Sequence, residues 1–171
     1  YKMGLDSTRL NAEGAAPLKS AVGEILSVED RGQLTGIVAK LHTTVANPFF
    51  GVGVQSDLMN SDINALYASQ PDLIMGDRDY YLDPENESIR TAYKEYLGKL
   101  FRLAGIPEAD IEKAVAGVMN IETKLAEKSW SNTELRDIPA QYNPTAKAEF
   151  EKTYDAIDWP AYYKAMGCLL Y

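Results

Sequence analysis

The stretch "GDRDYYLDPEN", Gly76 to Asn86, decides how the rest of the chain is read. It packs four acids, one arginine and two adjacent tyrosines into eleven residues. Its last part is a helix start. The Asp83 carboxylate suits an N-cap, where it accepts from an unpaired first-turn N–H, and Pro84 suits the first helical position, where its missing N–H is not needed. Beyond it, apolar residues recur at helical spacing. Ile89, Tyr93, Tyr96, Leu97, Leu100, Phe101 and Ala104 are expected to form one buried face, and Gly105 ends that helix in a left-handed conformation. Pro107 opens the next helix, whose shared face is Ile111, Ala114, Val115, Val118, Ile121, Glu122 and Leu125. Asn132 is expected to cap a short turn through "TELRD". Asn143-Pro144 starts a helix to about Tyr154, and Asp158 caps a last one, "WPAYYKAM", closed by Gly167.

Upstream of Gly76 the pattern changes twice. A short helix is expected from Pro17 to Leu26, followed by Ser27 as a cap with Asp30 three residues on. Leu34, Ile37, Val38, Leu41 and Val45 then trace one apolar helix face, which Asn47-Pro48 stops. Phe50, Val52 and Val54 alternate with small or polar residues, which is strand periodicity. "LMNSD" turns the chain and "INALYAS" returns it, so a β-hairpin is expected just before the junction. The fold class is mainly α, a multi-helix bundle-like domain with a small β-hairpin, organised as a single domain over residues 1–171.

Composition removes several functions. The formal net charge is −8 and no basic tract occurs, which argues against a nucleic-acid partner and against a basic membrane-surface helix. No apolar run reaches the roughly 20 residues that a membrane span needs. One cysteine, Cys168, supports no internal disulfide framework and reads as a structural thiol. One histidine, His42, cannot make a His-Glu-x-x-His zinc motif, which needs two, and it reads as a polar residue at the edge of a helical core. No Gly-x-Ser-x-Gly elbow is present, and "GVG" at residues 51–53 lacks the third glycine and the helix start of a phosphate loop. No catalytic or metal-ligating residue is therefore assigned, and substrate-binding positions stay unknown.

The acids of the opening stretch have two chemical uses open to them. Asp77 and Asp79 would point the same way if "GDRDYY" were extended, as a calcium site or an acid–base pair requires. A calcium loop needs more oxygen ligands, and Arg78 between them is a competing cation. Glu122 lies close to the apolar stripe of its helix, where a carboxylate needs a partner. Arg78, Arg90 and Arg136 are the available ones. Asp77, Asp79 and Glu122 with these three arginines are therefore expected to form a structural ion-pair network, with Arg78 on backbone carbonyls or a carboxylate and the tyrosines packed beneath the next helix.

The segments occur in a family-like order. "FFGVGVQSDLMNSDINALYASQPDLIMGDRDYYLDPE", "RTAYKEYLGKLFRLAG", "IETKLAEKSW", "ELRD", "YNPT" and "IDWPAYYKAMG" succeed one another. Together they resemble the N-terminal portion of the neprilysin and endothelin-converting enzyme family of zinc metalloendopeptidases, closest to bacterial members of the oligoendopeptidase O type. The opening "YKMGLDSTRLNAEGAAPL" fits the same region, so the resemblance covers nearly the whole chain. Two departures stand out: the opening segment lacks the cysteine that animal members often carry near Met3 or Gly4, and Met75-Gly76 stand where the family commonly has Leu-Pro.

The resemblance implies two largely helical lobes around a central cavity. It places the zinc, its His-Glu-x-x-His helix, a downstream Glu ligand and an Asn-Ala substrate element in a part of the chain not represented here. It implies that zinc-bound water attacks the peptide carbonyl in the parent enzyme, with a glutamate as general base. No position here matches those motifs. These residues then belong to the substrate-excluding lobe, partnered by the catalytic lobe of the same full-length chain and by short peptide substrates. The parent is expected to be exported, as a periplasmic, lipoprotein or cell-surface enzyme, with a cytoplasmic location as the other option. Both ends read as cut from a longer chain. The alternative from another class is a stand-alone helical binding module with no protease partner; a third is a carboxylate hydrolase using Asp77, Asp79 or Glu122.

Overall fold

The computed structural model describes residues 2–44 and 47–167. Cys168 and Val45, both named above, lie outside them. The elements in chain order are α1 (Lys2–Leu5), α2 (Ser7–Glu13), α3 (Leu18–Leu26), α4 (Arg31–Thr44), β1 (Gly51–Ser56), β2 (Asn64–Ser69), α5 (Asp79–Leu82), α6 (Glu87–Leu103), α7 (Glu108–Lys128), α8 (Lys147–Thr153) and α9 (Trp159–Met166). Short 3-10 turns lie at Pro84–Asn86, Glu134–Arg136 and Pro139–Gln141. The chain is mainly α with one small antiparallel hairpin, as its periodicity indicates.

Side chains choose the helix boundaries. Asp30, not Ser27, caps α4: its Oδ1 accepts from Gln33 N–H at 2.8 Å, and Gln33 Oε1 accepts from Glu29 N–H at 2.7 Å. Ser27 is still in the helical region and finishes α3, donating its hydroxyl to the Glu24 carbonyl. Asp83 caps the next turn through Glu85 N–H, and Asp158 caps α9 through Ala161 N–H at 3.1 Å. Gly105, at φ +85°, lets Ile106 N–H reach back to the Phe101 carbonyl and close α6. The helix after Asn143-Pro144 starts later, at Lys147, because the Asn143 amide is used backwards, on the Ala140 carbonyl.

Two apolar clusters organise these elements. In the first, Val38 and Ala39 of α4 meet Trp159, Tyr162 and Tyr163 of α9. Phe50, Val52 and Leu66 of the hairpin region pack against it, which supplies the support that two strands alone lack. The hairpin register runs from Gly51↔Ser69 to Ser56↔Asn64. Its tip is fixed by Asp57, whose Oδ1 accepts from Met59 and Asn60 N–H while the Tyr142 hydroxyl donates to the same carboxylate. In the second cluster, Tyr81 of α5 packs with Tyr93 and Leu97 of α6 and with Met119 and Ala126 of α7. Gln70 and Trp130 tie the hairpin to the end of α7 through two mutual bonds of 3.1 and 2.8 Å.

The expected buried face of α6 is only half covered. Tyr93 and Leu97 are buried, whereas Ile89, Tyr96 and Leu100 are exposed. The apolar arc of this helix is wider than the surface that α5 and α7 offer it. On α7 the same holds for Ile121, which is exposed, while Met119 is buried without having been expected.

His42 sits at the rim of the first cluster. Its Nδ1 pairs with the Tyr162 hydroxyl at 2.5 Å, and its ring lies edge-on to Phe50 at 4.8 Å. Burial lowers its pKa below the ordinary histidine value, and the Phe50 backbone acts the other way. The unfolded chain therefore takes up a proton on acidification before the folded chain does, and stability falls as pH drops below about 6.5 toward the folded-state value. Denaturant midpoints measured between pH 7.5 and 5 are expected to decline, and His42→Gln should flatten that decline. An unchanged slope in the variant would remove His42 as its source.

Candidate functional site

The residues singled out in the opening stretch meet at the end of α7. Gly76, at φ +92°, turns the chain there, a conformation closed to proline, whose ring fixes φ near −65°. The Leu-Pro turn common in the resembling family thus takes another form here. Asp77 and Asp79 are not a matched pair on an extended strand. Asp79 is the first residue of α5, and Asp77 is filled by backbone donors: its Oδ1 accepts from Asp79 N–H at 3.1 Å and its Oδ2 from Asn132 N–H at 2.9 Å. The Asn132 amide donates to the Gly76 carbonyl, so this residue clamps the corner rather than capping "TELRD". That turn is capped by Ser131 and Glu134, which exchange N–H to side-chain bonds in both directions.

Both arginines at the corner hold backbone carbonyls. Arg78 Nη1 donates to the Ser129 carbonyl at 2.8 Å, at the end of α7. Arg90 Nη1 donates to the carbonyls of Tyr80 and Asp83 at 3.0 and 2.7 Å, and its guanidinium pairs with Glu87 at 2.8 Å. Arg136 is exposed on its 3-10 turn. Among the described residues no salt bridge joins Asp77, Asp79 or Glu122 to any of the three arginines; Arg78 takes a backbone carbonyl, one of its two expected partners, and the expected ion pairs give way to hydrogen bonds. A peptide carbonyl satisfies a guanidinium N–H without burying a second charge, which removes one desolvation cost.

Glu122 is held by two phenols instead. The Tyr81 hydroxyl donates to its Oε2 at 3.0 Å and the Tyr93 hydroxyl to its Oε1 at 3.2 Å. Met75 N–H in turn donates to the Tyr81 oxygen at 3.2 Å. One carboxylate thus fixes α5, α6 and α7 to a common point. Burial, then the neighbouring Met75 backbone acting the other way, sets the Tyr81 pKa, which rises to about 12 with Glu122 adding to the rise. Tyr93 rises further, from burial first and the Glu122 hydrogen bond second. Both phenols therefore stay protonated donors at any physiological pH. Sequence reasoning placed Tyr93 on the buried face and the tyrosines under a helix, but did not pair them with Glu122. The available signal was that a buried phenol needs a hydrogen-bond partner.

Beside this point runs a groove of about 430 Å³, walled by Leu73, Ile74, Val118, Ile121 and Leu125, with Asp72 and Glu122 as its charged members. It opens to solvent between the Asp72–Ile74 segment and α7. The arrangement can receive an apolar group beside a fixed carboxylate. Its lining residues include no Ser, Thr, Cys or Lys to serve as the nucleophile that acyl transfer needs. Among the described residues, no three His, Cys, Asp or Glu side chains are grouped so as to hold a metal ion.

A structural role for this point makes a measurable claim. Glu122→Leu strands two buried hydroxyls and is expected to cost about 2 kcal/mol or more, while Tyr81→Phe should cost about 1–2 kcal/mol. Coupling between the two in a double-mutant cycle should be clear. Because the folded-state phenol values are raised, stability is complete below about pH 10 and is lost as pH rises toward the folded-state values. Urea melts at pH 8 to 11 should show this loss, and Tyr81→Phe should reduce it. Wild-type stability in both substitutions would contradict the anchoring role.

Comparison with known proteins gives this geometry its context. The sequence pattern of peptidase family M13 matches residues 1–170. Human (Homo sapiens) endothelin-converting enzyme 1 is 31% identical over 170 residues, which is 93% of this chain and 22% of the human protein. The zinc metalloprotease Zmp1 of Mycobacterium tuberculosis, solved with an inhibitor, superposes with a TM-score of 0.85 at 26% identity, over 95% of this chain and 25% of that one. PepO of Lactobacillus rhamnosis HN001 shares the fold, with a TM-score of 0.79 at 21% identity over 92% of this chain and 25% of its own. The chain spans about a quarter of the length of these relatives. Matched along nearly all of its length, it belongs to peptidase family M13, in the N-terminal portion of the neprilysin-like zinc metalloendopeptidases.

Proposed function

We propose that these residues form part of the helical, non-catalytic lobe of a zinc metalloendopeptidase, a lobe that closes over a central cavity and restricts it to short peptides. The observation that carries this reading is the family match across residues 1–170, joined to the likeness with a zinc metalloprotease over 95% of the chain. Among the described residues no group of side chains fits a zinc site, and no chemical step is assigned to them. Zinc belongs to the partner lobe of the same polypeptide. What these residues supply is a rigid wall: α5, α6 and α7 pinned at Glu122, and a hairpin fixed at both its base and its tip.

The residues of the Asp77–Arg78–Asp79 corner, with Arg90 and Glu122, are positioning residues in this reading, and Arg136 has no part in it. The partners are the catalytic lobe and short peptides. Export of the parent enzyme accompanies the reading. No described helix is long and apolar enough to cross a membrane.

Three observations test it. The pure 171-residue chain is expected to hydrolyse no fluorogenic peptide, with or without added zinc; turnover abolished by a chelator would refute this. The complete polypeptide is expected to cut short peptides and to spare folded proteins of the same local sequence. Equal cleavage of both would end the size-excluding role. A reading frame that continues past Tyr171 into a His-Glu-x-x-His segment supports the peptidase; a stop codon soon after it supports a stand-alone binding module.

A further inference from the structure

Helix α6 carries an apolar seam that nothing described covers. Ile89, Tyr96, Leu100 and Leu103 follow one another at i, i+7, i+11 and i+14, which is one face of an α-helix. They are 41%, 55%, 41% and 74% exposed. Ala92 lies on the same face, small enough to let another backbone approach closely. The seam adjoins the pinned site, because the Tyr96 ring stacks on the Tyr93 ring, with centroids 6.4 Å apart and planes 18° from parallel. Tyr93 in turn donates to Glu122.

We infer that this seam is a docking face for an α-helix supplied by the same polypeptide outside these 171 residues. Three observations choose that occupant. The spacing is that of helix-on-helix packing, in which side chains three and four residues apart meet a facing helix. The matched relatives are about four times as long as this chain, so in them about three quarters of the polypeptide is available to cover it. Ile89, Tyr96, Leu100 and Leu103 form one contiguous exposed stripe and not scattered single side chains, which is the pattern that marks an interaction surface. A second copy of the chain is the competing occupant and has no comparable support. The inference rests on the reading of these residues as part of a longer peptidase.

The test uses the complete polypeptide. Tyr96→Cys is placed on the seam, and Lys94→Cys, exposed on another face of the same helix, is the control. Each is labelled with a maleimide under native conditions, and intact mass counts the additions over the unsubstituted protein. The seam thiol is expected to react about tenfold or more slowly than the control, since a covered site reacts only through local opening. Equal rates would overturn the inference. So would protection that disappears on dilution together with a halving of the mass by light scattering, because the occupant would then be a second copy. Hydroxyl-radical footprinting of the unsubstituted protein gives the same answer if a variant fails to fold: Tyr96 should be oxidised no faster than buried Tyr93. An inactive polypeptide with a protected seam would retire the peptidase reading and leave this one standing. An active polypeptide with an open seam would do the reverse.

Discussion

A single carboxylate shared by two phenols sets the geometry of the second half of the chain. Glu122 lies half-buried beside an apolar groove, where its charge would be costly without donors. Tyr81 and Tyr93 supply one hydroxyl each, from α5 and α6, to its two oxygens. The consequence is largest for α5. Four residues make barely one helical turn, too short to persist through its own backbone bonds. It is held by Tyr81 from within, by Arg78 on the Ser129 carbonyl and by Arg90 on the carbonyls of Tyr80 and Asp83. A weak local element thus becomes the rigid hinge between hairpin and helices.

The corner handles charge in one consistent way. Its acids are met by N–H and O–H donors, and its arginines by peptide carbonyls. Asp77 accepts two backbone N–H groups, and Glu122 accepts two phenols. The contact between Arg90 and Glu87 is an i, i+3 pair in which the glutamate remains largely exposed, so it adds little to what the carbonyl bonds already fix. Hydrogen bonds to peptide groups are directional. They specify where the chain crosses α7, which a pair of mobile charges would specify less sharply.

How much of this was legible in the sequence follows from range. Features set by neighbouring residues were readable. Asp83-Pro84 and Asp158 cap where the side-chain chemistry says they must, Gly105 takes the positive φ its place predicts, and Val52 and Val54 alternate within a strand. Features set by distant partners were not. Asn132 has the chemistry of a cap, but Asp77 and Gly76, more than fifty residues away, recruit it, and Ser131 with Glu134 takes the local cap instead. Glu122 was rightly marked as needing a partner. Three arginines were on offer, and the choice of tyrosines depends on which faces of α5 and α6 turn toward α7, a tertiary fact. The family order was legible because it is a property of succession, which needs no coordinates.

The face of α6 shows where periodicity stops being informative about a lone chain. Spacing reports which residues avoid water in the finished protein, not which are covered by the residues at hand. Tyr93 and Leu97 are covered by α5 and α7; Tyr96 and Leu100, on the adjoining part of the same arc, are not. The stacked rings of Tyr93 and Tyr96 connect the two halves, so whatever settles on the seam presses on a ring whose neighbour already donates to Glu122. A helix docked there would load the junction that fixes α5 and, through Gln70 and Trp130, the hairpin beyond it. Packing transmits such loads because a filled interior resists small displacements. In the proposed lobe, with a helix docked as inferred, the polar pins at Glu122 and the apolar seam on α6 act as two parts of one stiffening device: the first fixes direction, and the second supplies buried area that the described residues lack.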